Sequence, residues 1–263
     1  AGFDSGQTAG DSVAGIIGRG IMTGGLEIMD GFAIQAAEDF AHAGYPTDAQ
    51  ALLLCEVDGT REEVQDHIHQ AEELFRELGA TSVRTSGSEA ERALLWKGRK
   101  SAFPAVGRIS PDYYCMDGTI PRSQLAHVLT EMQALSEHYG LRVANVFHAG
   151  DGNLHPLILF DANVPGEFER TEAFGGDILN LCVEVGGSIT GEHGVGMEKI
   201  RQMPNQFGNL EVSQFHGIKQ AFDARGILNP GKGVPTLRQC QEYRAIGPLQ
   251  TPAASSDGGA SHG

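Results

Sequence analysis

The chain has little of what a membrane-spanning, disulfide-bonded or nucleic-acid-binding protein needs. No apolar run approaches the roughly 20 residues of a transmembrane helix, and no signal peptide is recognisable. The four cysteines are widely spaced and form no Cys-x-x-Cys pair, which is typical of reduced intracellular thiols. Lysine and arginine number 19 against 34 acidic residues, and the formal charge of −15 argues against a nucleic-acid surface. We therefore expect a cytoplasmic globular protein whose membrane association, at the inner membrane, would be peripheral and made through partners.

Nucleotide-binding and nucleophile motifs are incomplete or missing. Gly18, Gly20 and Gly24 approximate a dinucleotide fingerprint, but their spacing is one residue too long and no strand is predicted before them. Residues 226–233 match Gly-x4-Gly-Lys, yet a glycine stands where a phosphate loop needs a magnesium-binding serine or threonine. No Gly-x-Ser-x-Gly elbow is present. These patterns argue against phosphate-loop and covalent hydrolase chemistry.

Hydrophobic periodicity predicts helices and strands in alternation along the chain. Helices are predicted in two segments over 9–41, split at 23–25, and over 61–79, 88–102, 121–139, 167–185 and 210–224. Strands are predicted over 52–57, 81–85, 111–120, 143–147 and 157–160. This order favours an α+β, ferredoxin-like fold in which helices cover one face of an antiparallel sheet.

Two glycine-rich segments carry the residues with the most evident chemistry. His148 and His155 flank a turn in which Asp151-Gly152 is predicted to supply the positive φ angles of a hairpin. The second segment carries Glu192 and His193 between glycines, which let the backbone approach a ligand closely. Imidazole and carboxylate in such turns indicate a metal site with an adjacent base.

The spacing supports two interpretations of these side chains equally. In the first, His148, His155 and Glu192 bind a divalent transition metal, and His193 stays free for proton transfer. In the second, the two hairpin histidines only cap a turn and the Glu-His pair belongs to an ordinary loop. Asp151 is a rival metal ligand, although a carboxylate in such a turn more often bonds its own backbone.

Three segments, in this order, closely resemble the carboxy-terminal domain of the FAD-linked oxidase family. They are His148-Ala-Gly-Asp-Gly-Asn-Leu-His155, Gly187-Ser-Ile-Thr-Gly-Glu-His-Gly-Val-Gly196 and Phe222-Asp-Ala-Arg-Gly-Ile-Leu-Asn-Pro-Gly-Lys232. The family includes D-lactate, D-2-hydroxyglutarate and glycolate dehydrogenases. Residues 95–117 look most like the flavin subunit of bacterial glycolate oxidase. The resemblance covers nearly the whole chain except its tail, and it implies the substrate half of a two-domain flavoenzyme.

The resemblance also implies a division of the chain. Residues 1–48 would be a helical lead-in from an FAD-binding domain that is not in this chain. Residues 49–235 would form the α+β domain that binds substrate and metal. Residues 236–263 would be a carboxy-terminal extension with a low-complexity, disordered tail.

Cofactors and site residues follow from the same resemblance. It implies FAD, held mostly by the other domain, and a divalent metal, Zn or Mn. The residues that it implicates are His148, His155 and Glu192 for the metal, His193 as the base, Arg99 as the anchor of the substrate carboxylate, and Asn229 and Lys232 near the flavin. The metal would lower the pKa of the substrate hydroxyl, and the base would take its proton while hydride leaves for the flavin.

The implied activity is oxidation of a small 2-hydroxy acid, glycolate or D-lactate, to the 2-oxo acid. Phe103, Cys115 and Leu157 stand where the hydroxyglutarate branch has polar or basic residues, so a distal carboxylate would lack donors. An iron–sulfur subunit is the implied electron acceptor. The alternative is a stand-alone metal-binding or interaction module that has lost redox activity. A metal-dependent hydrolase has no support beyond the ligands themselves.

Overall fold

Eight strands and nine α-helices lie within residues 1–235, which are the residues that this computed structural model describes. The strands are β1 (Gly2–Phe3), β2 (Thr23–Asp30), β3 (Ala51–Val57), β4 (Asp112–Cys115), β5 (Gly118–Thr119), β6 (Val143–Phe147), β7 (Asn153–Leu154) and β8 (Pro156–Phe160). The helices are α1 (Gly6–Gly18), α2 (Gly31–Ala41), α3 (Arg61–Glu77), α4 (Glu89–Lys100), α5 (Ala102–Val106), α6 (Leu125–Tyr139), α7 (Glu167–Glu184), α8 (Met203–Gln206) and α9 (Asn209–Phe222). Short 3-10 turns span Arg122–Gln124 and Ile200–Gln202.

Six of these strands form one antiparallel sheet in the order β1-β3-β2-β6-β8-β4. Strands β5 and β7 form a separate two-stranded ladder. The α+β class and the antiparallel sheet are therefore confirmed. The predicted hairpin is also present, because β6 pairs with β8 from Val143 opposite Ile158 to Asn145 opposite Pro156.

Helices cover both faces of the sheet, which corrects the expectation of a single covered face. In β3, Leu53 belongs to a core that α1, α3, α6 and α7 complete. Its neighbours Leu52 and Leu54 belong to a second core with α2 and α5. Because side chains alternate across a strand, a strand buried on both faces has an unbroken apolar sequence. The three consecutive leucines Leu52-Leu-Leu54 are consistent with a strand that is buried on both faces.

Strand β2 is the largest departure from the sequence prediction. Residues 9–41 were expected to form two helices, but a central strand lies between α1 and α2 and pairs with both β3 and β6. Leu26 and Met29 have helical spacing, yet they face opposite sides of the sheet. The helical description of 1–48 is therefore wrong for β2, whereas the domain boundary near residue 48 stays a prediction. The proposed extension over 236–263 lies outside the described residues.

Two other predicted strands are shorter than expected. Residues 81–85 make only a single bridge, from Ser82 to Gly2. The strand expected over 111–120 is divided into β4 and β5, because Asp117 leaves the ladder and accepts hydrogen bonds from residues 190–193. Among the helices of residues 1–235, none has the length and apolar character required to cross a membrane.

Candidate active site

The β6–β8 hairpin positions the two predicted histidine ligands. His148 follows β6, and its backbone N–H donates to the Asn153 carbonyl at 3.0 Å. Of the Asp151-Gly152 pair, only Gly152 has a positive φ, of 72°. A Cβ at that position would lie 2.2 Å from the Ile120 carbonyl oxygen, so glycine is required there both by conformation and by space.

His155, Glu192 and His193 meet at the end of this hairpin. His155 is buried, and its Nε2 lies 2.8 Å from Glu192 Oε1. His193 Nε2 lies 3.9 Å from the same oxygen. The rings of His155 and His193 stack with centroids 5.2 Å apart and an interplanar angle of 21°. The structure therefore brings together two predicted metal ligands and the predicted base.

Asp117 holds the backbone of the segment that carries Glu192 and His193. Its carboxylate accepts hydrogen bonds from the N–H groups of Gly191, Glu192 and His193 at 3.0, 3.1 and 2.9 Å. The Thr190 hydroxyl donates to it at 2.8 Å. Successive backbone N–H groups that converge on one anion form a nest, which here fixes the loop conformation.

Lys199 completes this arrangement from inside the protein. Its ammonium donates to the Asp117 carboxylate at 2.9 Å and to the Asp117 carbonyl oxygen at 2.7 Å. Both side chains are buried. Burial opposes ionisation of Asp117, but the hydrogen bonds from Lys199 and the loop N–H groups outweigh it and hold the pKa of this carboxyl well below its usual range.

The donor atoms of Asp117, His155, Glu192 and His193 all lie within 4.8 Å of one another. Asp117 accepts hydrogen bonds from five donor groups, which hold the backbone of this group in place. The other three provide two imidazoles and a carboxylate, a donor set that suits Zn or Mn. His155 Nδ1 faces the Met116 carbonyl at 3.4 Å, which favours a proton on Nδ1 and leaves Nε2 for a metal.

His148 lies beside this group and is not part of it. Its ring meets the His155 ring edge-on, with centroids 5.1 Å apart and an interplanar angle of 90°. The sequence assigns His148 to the metal and leaves His193 free, whereas the geometry gathers His193 with His155 and Glu192. Which of the two histidines binds the metal stays a prediction. Asp151, the rival ligand, is exposed.

Glu27 links His148 to Arg99. Its Oε1 lies 2.8 Å from His148 Nδ1, and its Oε2 accepts from Arg99 Nη2 at 2.7 Å and Nε at 3.1 Å. Glu27 and Arg99 are only 8% and 7% exposed. Burial disfavours the Glu27 carboxylate, but the hydrogen bond with His148 and the charge of Arg99 lower its pKa overall. The hydrogen bond with Glu27 also raises the pKa of His148.

The pKa values of the two hairpin histidines shift in opposite directions. Burial, and then the charge of His148, lower the pKa of His155. His155 is therefore the imidazole that stays neutral most readily, and the neutral form is the one that binds metals.

The neighbours of His155 on this side are uncharged. The Phe103 ring lies 6.3 Å from the His155 ring, and Cys115 pairs with Leu157 in the β4–β8 ladder. Leu157 is fully buried in the apolar core. Burial raises the pKa of the Cys115 thiol to about 12, so it is uncharged. None of these three side chains offers a cation to a second carboxylate.

The predicted flavin residues lie on a loop that touches the Glu192-His193 segment. Gly233 N–H donates to the Gly196 carbonyl at 2.8 Å, which joins the two loops. Asn229 has a positive φ of 44° and accepts from the Lys232 N–H at 3.2 Å. Both side chains are exposed. Their role at a flavin stays a prediction.

Sequence reasoning missed Asp117, Lys199 and Glu27. A single carboxylate within an apolar strand could have indicated a buried ion pair, because a carboxylate is buried only when it has a partner. Glu27 stands between Leu26 and Ile28, and it escaped notice because its segment was taken as a helix.

Comparison with known proteins places this arrangement in context. Residues 1–233 match the family described as FAD linked oxidases, C-terminal domain. The chain is 61% identical to the glycolate oxidase subunit GlcD of Escherichia coli strain K12, over 94% of this chain and 49% of that protein. It is 30% identical to the probable mitochondrial D-lactate dehydrogenase of Danio rerio, over 88% of this chain and 46% of that protein. The chain thus spans about half the length of the curated relatives it matches.

Solved structures share the fold at much lower identity. The 4-ethylphenol oxidase of Gulosibacter chungangensis superposes with a TM-score of 0.62 and 15% identity, covering 90% of this chain and 54% of that one. A p-cresol methylhydroxylase with bound substrate gives the same TM-score and identity, covering 91% of this chain and 53% of the other. At this identity the likeness concerns the fold alone.

Proposed function

Since this chain belongs to the family of carboxy-terminal domains of FAD-linked oxidases, we propose that it is the substrate- and metal-binding half of an FAD-dependent oxidoreductase. The reaction would oxidise a small 2-hydroxy acid, glycolate or D-lactate, to the 2-oxo acid. The observation that carries the proposal is the group formed by His155, Glu192 and His193, which lies beside the buried Arg99–Glu27–His148 chain. The first group can bind a metal and accept a proton. Arg99, in the second group, can supply a cation for the carboxylate of the substrate.

A metal bound at this site would supply the Lewis acidity that lowers the pKa of a substrate hydroxyl. His155 and Glu192 would hold it through Nε2 and Oε1, with His148 as the third ligand on the sequence assignment. His193 would then accept the hydroxyl proton, since its ring is exposed and stacks on His155 beside the proposed metal position. A proton acceptor at this point is needed before hydride can leave the adjacent carbon.

Arg99 is suited to anchor the carboxylate of the substrate. Glu27 engages its Nε and Nη2, which fixes the orientation of the guanidinium, and among residues 1–235 no hydrogen bond occupies Nη1. A fixed planar fork binds a carboxylate with little further loss of conformational entropy.

Small substrates are favoured because Phe103, Cys115 and Leu157, which lie close to His155 in the fold, supply no charged donor. A second carboxylate buried against these side chains would lose its hydration without gaining a donor, at a cost of several kcal/mol. Glycolate and D-lactate carry no such group, and the names of the Escherichia coli and Danio rerio relatives agree with these two acids.

The complete enzyme would combine these residues with an FAD site and with further subunits. FAD would be held mainly by an amino-terminal domain and would accept the hydride, with Asn229 and Lys232 near it. The word subunit in the name of the Escherichia coli relative supports an assembly, for which we propose an iron–sulfur electron acceptor. Attachment to the inner membrane would be peripheral and made through such partners.

The first test is His155→Ala in the full-length, flavin-containing protein. We expect loss of bound zinc or manganese by mass spectrometry, together with loss of dye reduction by glycolate of at least about 100-fold, as is usual when a catalytic metal is lost. His69→Ala is the matched control, since His69 is an exposed residue of α3 that forms an i,i+4 pair with Glu73, away from the site. Full activity of His155→Ala would contradict the proposal. Metal binding by the wild type without turnover would favour the alternative of a redox-inactive module.

A further inference from the structure

The carboxylate of Glu27 occupies an unusual position between two groups that the proposed function uses. One oxygen is directed to Arg99 and the other to His148 Nδ1, at 2.7 and 2.8 Å. The carboxylate and the guanidinium are both buried, and they come from β2 and α4. A side chain so placed affects the orientation of both partners at once.

We propose that Glu27 is a positioning residue, which sets the tautomer and direction of His148 for the metal and the direction of Arg99 for the substrate carboxylate. This inference rests on the proposed function. It concerns a residue on the strand that sequence reasoning took for a helix.

The contact between Glu27 Oε1 and His148 Nδ1 determines which ring nitrogen carries the proton. An ionised carboxylate only accepts hydrogen bonds, so Glu27 Oε1 keeps a proton on His148 Nδ1. In the neutral ring the lone pair is then on Nε2, which is the nitrogen left for a metal. Partners of this kind raise the basicity of a metal-binding imidazole and hold its ring in place.

A second Glu-Arg pair between the sheet and α4 shows what a pair without a site histidine looks like. A salt bridge that only joined β2 to α4 would be satisfied by the Arg99 contact alone. The next strand has such a pair, because Glu56 of β3 accepts a hydrogen bond from Arg92 of α4 at 2.7 Å and another from Trp96, without a histidine. Gly25 lies opposite Glu56 in the ladder, so the two glutamates occupy neighbouring places in the sheet. Of these two pairs, the one with Glu27 also includes a site histidine.

The substitution Glu27→Gln separates the two roles. Arginine has donors only, so the amide oxygen of the new side chain must face Arg99. Its NH2 group then faces His148 Nδ1 and can only donate to it. The proton of the neutral imidazole moves to Nε2, and the nitrogen available for a metal becomes the wrong one. The variant keeps the size of the side chain and its contact with Arg99.

Two readouts on the full-length protein, the His148 tautomer and the metal affinity, test the inference, and glycolate kinetics accompany them. Nitrogen-15 NMR of histidine-labelled protein, at a pH where the ring is neutral, should give Nδ1–H for His148 in the wild type and Nε2–H in Glu27→Gln. His148→Gln identifies the signal. Titration of metal-free protein with zinc or manganese should show a 10- to 100-fold weaker affinity in Glu27→Gln, the range typical for loss of a partner behind a ligand. With glycolate, kcat should fall more than KM rises, because Arg99 is still held.

Glu56→Gln is the matched control, with the same substitution at a Glu-Arg pair outside the site, and it should leave both readouts unchanged. An unchanged His148 tautomer, or unchanged metal affinity in Glu27→Gln, would overturn the inference. If the wild type binds no metal, the metal part of the proposed function fails. The tautomer comparison still decides the role of Glu27 in that case, since it requires no metal and no turnover.

Discussion

Asp117 and Glu27 are both buried carboxylates with lowered pKa, yet they stabilise different parts of the site. Asp117 accepts three backbone N–H groups, a hydroxyl and an ammonium, so it fixes the path of a loop. Within residues 1–235, Glu27 accepts from two side chains, Arg99 and His148, so it fixes the direction of functional groups. Asp117 is therefore needed for the loop of residues 190–193 to take its conformation. Glu27 is needed to orient Arg99 and His148.

The largest expected effect is that of Asp117→Asn. The substitution leaves the Lys199 ammonium buried without a counter-charge, which typically costs about 3–5 kcal/mol of folding free energy. Urea unfolding measures the loss. Asp177→Asn is a suitable control, because this carboxylate pairs only with the Tyr139 hydroxyl in the described residues. If Asp117→Asn lowers the free energy of unfolding by less than about 1 kcal/mol, Asp117 does not stabilise the loop in the way that sets it apart from Glu27.

A second prediction concerns acid. The pKa of Asp117 is lower in the folded protein than in the unfolded chain, so its contribution to stability is fully present above the unfolded value of about 3.9. That contribution is lost as the pH falls through the folded pKa. Urea unfolding at a series of pH values below about 5 should therefore show a shallower acid loss in Asp117→Asn than in the wild type. Parallel curves for the two proteins would contradict this account.

The smallest expected effect is that of Gly191→Ala. A Cβ there would lie 2.5 Å from Asn153 Oδ1, so the loop must shift, at a cost of about 1–3 kcal/mol. Because the Glu192-His193 segment moves with it, metal affinity should weaken as well. Gly217→Ala is the control, since a Cβ meets nothing within 4 Å in α9 and should stabilise that helix by about 0.5–1 kcal/mol. Unchanged metal affinity in Gly191→Ala would show that the loop is adaptable.

Local sequence was enough for some parts of the fold. Continuous apolar residues identified β3, and alternation between apolar runs and turn residues identified the β6–β8 hairpin. Gly152 marked its turn correctly, because a positive φ beside a crowded carbonyl admits no other residue. The motif around His155, Glu192 and His193 indicated a common site, and the structure brings these three together.

Local sequence was insufficient where a residue's state depends on distant partners. Over eight residues, β2 shows a spacing compatible with helix, and only pairing with β3 and β6 makes it a strand. Likewise, Asp117 and Glu27 are ordinary acidic residues until Lys199 and Arg99 are brought against them from 82 and 72 positions away.

The sequence by itself determined which side chains can bind a metal, accept a proton or anchor a carboxylate, since those are properties of the residue types. The tertiary structure alone decided their grouping. It brought donor atoms of His193, His155 and Glu192 within 4.8 Å of one another, and it paired His148, whose ring also meets His155, with a carboxylate from the central strand. A buried charge is stable only beside a group of opposite charge or a hydrogen-bond partner. Packing of distant segments brings that partner into place.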